Sequence, residues 1–60
     1  MNRTFKITGK DPKTKRQRKK RVYTSEEDYL KYKDELIKRY KSYLVEVECY
    51  ELINKIWKLI

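Results

Sequence analysis

The chain has no histidine, one cysteine, one glycine and one proline. Each shortage removes a class of chemistry. Without histidine there is no imidazole general base and no Cys/His zinc site. Cys49 stands alone, so no intramolecular disulfide forms. Small secreted domains usually depend on such staples, and a reducing, cytoplasmic setting is therefore expected. With Gly9 the only glycine, there is no Gly-rich loop to cradle a phosphate. Long apolar runs are missing too. No stretch approaches the roughly 20 residues that span a bilayer, and the first residues lack the apolar core of a secretory signal, so neither a signal peptide nor a membrane span is expected.

Charge is what the chain has in quantity, and it is unevenly placed. Of its 60 residues 43% are charged, with a net charge of +8. Residues 1–24 hold ten basic side chains and one acid, whereas residues 25–60 hold seven and eight. The apolar residues cluster after Tyr23. This describes one small domain over residues 1–60, a folded body with a charged appendage, with too little interior for a deep catalytic cleft.

Arg3 to Thr8 alternates polar and apolar residues, the period of a half-buried strand with Phe5 and Ile7 inward. Asp11-Pro12-Lys13-Thr14 suits a type I turn, and the following Lys15 then needs left-handed geometry. A four-residue loop sets Asp11 opposite Arg16 and pairs Phe5 with Val22, which puts Val22 in the core and Tyr23 outside; a slip of one residue exchanges them. The result is a basic β-hairpin at about residues 4–23. Thr24-Ser25-Glu26-Glu27-Asp28 is a helix start, with a hydroxyl cap at Thr24 or Ser25 and acids at the positive end of the dipole. Tyr29, Leu30, Tyr32, Leu36, Ile37, Tyr40, Tyr43 and Leu44 then share an arc of about 160° on a helical wheel. Lys33 falls near its middle, where a snorkelling stem accounts for it.

Val45 to Cys49 alternates again and predicts a third strand over about 44–50, with Cys49 a small core hydrophobe and Glu46 and Glu48 on the solvated face beside Lys6. Leu52 to Ile60 has apolar residues at helical spacing and predicts a short terminal helix. The expected fold is α+β: a three-stranded antiparallel sheet (β-β-α-β, order 2-1-3) joined by a right-handed crossover, with one long helix packed on it and a short C-terminal helix. Ile53, Ile56, Trp57 and Ile60 then either close the core or form a partner or dimer interface.

No constellation for catalysis, cofactor or metal emerges; the paired acids are explained by helix capping and by a solvated strand face. The hairpin is another matter. Lys10 to Arg21 carries eight cations against Asp11, and the natural ligand of such a stretch is a polyanion. A two-stranded ribbon fits a DNA major groove, and each arm is expected to project by roughly 20 Å at about 3.3 Å per residue. The candidate nucleic-acid contacts are Lys6, Lys10, Lys13, Lys15, Arg16, Arg18, Lys19, Lys20, Arg21 and Tyr23. Of these, Lys6, Lys10, Lys19, Arg21 and Tyr23 are expected on the face opposite the helix.

The run Asp11-Pro12-x-Thr14-x-Arg16-x-Arg18-Lys19-Lys20-Arg21-x-Tyr23-Thr24-Ser25-x-x-Asp28 resembles the arm-type DNA-binding domains at the N-terminus of phage and transposon tyrosine recombinases. The likeness covers about twenty residues of turn and charge chemistry. It implies a sheet face laid into the major groove, with DNA contact carried onto Lys10, Arg16, Arg18, Lys19 and Arg21. That family has three strands before its helix and usually a Gly where Lys15 stands. In size and charge the chain is also similar to small proteins of phages and mobile elements, anti-CRISPR inhibitors among them. Two functions are therefore expected to compete: a non-enzymatic module that grips nucleic acid, DNA more than RNA, and an inhibitor that binds a host nucleic-acid enzyme or its RNA–protein complex.

Overall fold

The computed structural model describes residues 3–60. Five elements follow in order: β1 (Thr4–Lys10), β2 (Gln17–Tyr23), α1 (Glu26–Lys41), β3 (Glu46–Ile53) and β4 (Ile56–Leu59). The strands form one antiparallel sheet in the order β2-β1-β3-β4. The expected C-terminal helix is thus corrected to a fourth strand, and α1 is the single helix. What overturns the helical reading is a two-residue turn. Asn54 and Lys55 both take positive φ, 50° and 64°, the geometry of a tight hairpin whose twist matches its strands. Ile53 pairs with Ile56 and Leu52 with Trp57 across it.

The hairpin turn forms as its sequence dictates. The Asp11 side chain accepts from the backbone amides of Lys13 (2.8 Å) and Thr14 (3.1 Å), Asp11 N donates to Arg16 O, and Lys15 has φ 61°. Those two amide bonds also hold the Asp11 carboxyl below its usual range. The four-residue loop is present and Lys10 faces Gln17, yet Gly9 faces Lys19. Arg18 is one extra residue in β2, a β-bulge. Beyond it the register moves by one, so Phe5 pairs with Tyr23 and Lys6 with Val22. Tyr23 is buried and Val22 is 42% exposed. The expected inward Val22 is corrected on that ground.

The core lies between α1 and one sheet face and contains Phe5, Ile7, Tyr23, Tyr29, Tyr40 and Val45, edged by Leu36, Ile37, Val47 and Cys49. The Phe5 and Tyr29 rings stack at 4.1 Å, and the Tyr23 ring meets Tyr29 edge-on at 6.2 Å. Such pairs add about 0.5–1.5 kcal/mol each to the burial of their area. Desolvation, then the Cys49 thiol, pushes the Tyr29 phenol up to about 12. Lys33 is half-buried with its ammonium 5.7 Å from the Tyr29 ring, the snorkelling arrangement. Ser25 occupies the N-cap with extended backbone but makes no side-chain cap bond; Glu26, Glu27 and Asp28 in the first turn meet the helix dipole. The helix closes at Ser42, and Leu44, at φ 59° and 82% exposed, turns the chain into β3.

Among the described residues α1 packs on β1, β2 and β3 and makes no contact with β4. The face opposite the helix is uncovered. Alternation from the observed register gives that face four rows: Thr4, Leu52 and Trp57; Val22, Lys6, Tyr50 and Leu59; Lys20, Thr8 and Glu48; Gln17, Lys10 and Glu46.

Candidate nucleic-acid interface

β1 is paired on both sides along its whole length, with β2 from Phe5 to Lys10 and with β3 from Thr4 to Lys10. The hairpin is therefore no free ribbon, and the expected 20 Å projection is corrected: only the turn between Asp11 and Arg16 passes the end of the sheet. The basic residues sit instead on an edge strand and its turn. Every residue from Pro12 to Val22 is exposed.

The structure divides the ten expected contact residues into groups. Lys10 and Lys15 face carboxylates of β3. Lys10 Nζ lies 2.9 Å from Glu48 and donates to the Tyr50 hydroxyl at 3.5 Å, and Lys15 Nζ lies 3.0 Å from Glu46. The ion pair holds the Lys10 ammonium above, and the Glu48 carboxyl below, their ordinary values. Lys13, Arg16, Arg18, Lys19, Lys20 and Arg21 form no salt bridge among the described residues. The bulge divides these by face. Lys19 and Arg21 pair with Gly9 and Ile7 and so point to the helix side, with Tyr23, rather than to the open face as expected. There Lys19 Nζ lies 4.9 Å from the Tyr43 ring and the Arg21 guanidinium 5.9 Å from the Tyr23 ring. Of the β2 cations past the bulge, Lys20 points to the open face. Tyr23 is buried and makes no solvent-facing stacking surface.

Two features were not visible from sequence as site elements. One is a groove of about 460 Å³ between β2 and α1, lined by Arg21, Val22, Tyr23, Asp28, Tyr32, Glu35 and Arg39 among others. Its charges are of both signs, and Glu35 lies 3.8 Å from Arg39. The other is on the open face, where Lys6 Nζ lies 4.5 Å from the Trp57 ring and 5.0 Å from the Tyr50 ring. Strand alternation from Glu46 and Glu48 would have put Tyr50 there; Trp57 was lost with the helical reading of β4. The four expected interface residues likewise do not form one stripe. Ile53 and Ile56 share the helix side of the sheet and are exposed, Trp57 lies on the open face, and Ile60 follows the strand, exposed.

Arg3, outside the expected contact residues, is also paired within the fold. It bridges Glu51 of β3, at 2.6 Å, and Glu26 at the helix start, joining the ends of three elements. Among the described residues no three His, Cys, Asp or Glu side chains gather as a metal site, and no helix is long and apolar enough to cross a membrane. No family model, curated protein or solved structure matches the chain.

Proposed function

We propose that this protein is a non-enzymatic nucleic-acid-binding module that grips phosphates through the exposed edge of its basic hairpin. The observation that carries the reading is the division among its cations. Lys10 and Lys15 are neutralised by Glu48 and Glu46, whereas Lys13, Arg16, Arg18, Lys19, Lys20 and Arg21 crowd one edge and turn with no carboxylate partner among the described residues. Like charges held this close repel, and a polyanion relieves that repulsion by exchanging its counterions for them. The reading includes a cytoplasmic setting, where nucleic acid is abundant and Cys49 stays reduced.

Six displaced counterions give log affinity a slope of roughly −5 against log salt. Anisotropy titrations of labelled DNA and RNA between about 50 and 200 mM salt should therefore lose roughly a thousandfold in affinity. Reversal of Arg16, Arg18, Lys19 and Lys20 to Glu should abolish binding, and unchanged affinity in that variant sinks the reading. Lys10→Gln, which removes a cation already paired with Glu48, should weaken binding far less than Arg18→Gln.

A second reading rests on the opposite edge. β4 leaves Ile56 60%, Leu59 62% and the adjoining Ile60 59% exposed, a surface suited to a protein partner. An inhibitor that docks on a host nucleic-acid enzyme predicts weak binding to free nucleic acid and co-purification with a host protein from nuclease-treated lysate.

A further inference from the structure

We infer that the uncovered sheet face is a stacking platform for unpaired bases, so that the nucleic acid bound by this protein is single-stranded. This inference deepens the proposed function and rests on it. Its materials are Tyr50, Trp57 and Lys6. The Tyr50 hydroxyl reaches Lys10 Nζ at 3.5 Å, although Tyr50 pairs with Lys6, two residues earlier on β1. Its side chain therefore leans along the sheet toward the turn, in the direction of Thr8, which is only 1% exposed although it lies on the open face. Tyr50 is half-buried, so part of its ring stays open to solvent on this face. Trp57, on the next strand and in the adjoining row, is half-buried with no element above it.

Two half-exposed aromatic rings on an open face are not required by the core, which lies on the other side of the sheet. Their neighbours set the occupant. Lys6 holds its ammonium within 5.0 Å of both rings, and Lys20, the β2 cation past the bulge that points to this face, continues the positive surface on one side only. Aromatic surface thus lies over β3 and β4 and phosphate-binding charge over β1 and β2. An apolar protein partner would strand the Lys6 ammonium away from water. A nucleotide strand matches both halves, with bases over the rings and backbone over the lysines. The two carboxylates on this face, Glu46 and Glu48, are paired with Lys15 and Lys10 toward the turn and leave the aromatic end free of negative charge. In a duplex each base is stacked between its neighbours and has no free π face to offer, so the platform selects single strands.

Trp57 is the chain's only tryptophan, and its emission reports the site directly. Oligothymidylate and oligouridylate of about twelve nucleotides, and a duplex of equal length, are titrated into the full chain at low salt. The expected result is quenching of Trp57 by either single strand, with affinity at least tenfold above the duplex. Tyr50→Leu should cost roughly tenfold in single-strand affinity while leaving duplex binding unchanged. Trp57→Leu, followed by anisotropy, should do the same. Leucine keeps the apolar bulk, and if either variant fails to fold the quenching and single-strand preference of the wild type still decide. Duplex bound as tightly as single strand, without quenching, overturns the platform and leaves the phosphate-binding edge standing. Binding of neither overturns both, whereas Trp57 emission that shifts only with protein concentration, the mark of a self-associating face, overturns the platform alone.

Discussion

Gly9 packs directly against Val45, in the segment that leads into β3. A Cβ built there would stand 2.7 Å from Val45 Cγ2 and 3.4 Å from Lys19 Cβ, so the strand can pass under Val45 only without a side chain. Gly9→Ala should lower stability by about 1–3 kcal/mol, the cost of overpacking a filled site. Urea denaturation would measure it, and in the Gly9→Ala, Val45→Ala double variant the two losses should fall short of additivity because the clash has lost one partner. The opposite effect is expected at Lys55. Its φ of 64° burdens any residue with a Cβ by about 1–2 kcal/mol, part of which glycine returns through its freer unfolded chain. Lys55→Gly should raise stability by about 0.5–1 kcal/mol, seen as a Tm higher by a few degrees. The same exchange at Lys58, inside β4, should lower it.

At the scale of elements, what could be read from sequence depended on whether a segment carried enough residues to set a phase. β1 and α1 were legible because Phe5 and Ile7 alternate and because Tyr29, Leu36, Ile37 and Tyr40 recur over three turns. β4 was not: Ile56-Trp57-Lys58-Leu59 is short enough to satisfy helical and strand periods alike, and the deciding turn has Lys55 where glycine is usual. Nor was the β2 register, since six polar residues precede the adjoining Val22 and Tyr23 and nothing in them marks the extra residue at Arg18. The site was legible as charge but not as geometry. Which cations are free depends on Glu46 and Glu48 meeting Lys15 and Lys10, contacts set by the β1–β3 pairing. That pairing also gives the sheet an acid limit. Arg3 and Lys10 hold Glu51 and Glu48 below the ordinary carboxylate value. The stability they confer is complete above the unfolded pKa and is lost as pH falls through the lower, folded values. Thermal melts should therefore weaken between about pH 5 and pH 2, and the Glu48→Gln, Glu51→Gln variant should show a flatter acid limb.

Across the whole molecule the two sheet edges are opposites, and the contrast bears on why the charge is there. An edge strand rich in Lys and Arg discourages pairing with other chains, so β2 has a purely protective reading. Protection, however, does not require Lys13, Arg16, Arg18, Lys19, Lys20 and Arg21 together when the β4 edge carries only Lys58 among exposed apolar residues. Six neighbouring cations on a chain of net charge +8 work against the fold through their own repulsion. Screening acts within about 10 Å at 0.1 M salt, a reach well matched to a single strand and its turn. The free protein's Tm should accordingly rise as salt is raised, while its affinity for nucleic acid falls. Replacement of Arg16, Arg18 and Lys20 by Gln should lift the low-salt Tm toward the high-salt value and flatten its salt dependence, and the same variant should lose nucleic-acid affinity. Calorimetry and anisotropy on one set of samples test both halves. A variant that melts lower at every salt concentration would mean that the cations serve the fold. A variant that melts higher and binds nothing would mean that stability is given up to hold a phosphate-binding edge.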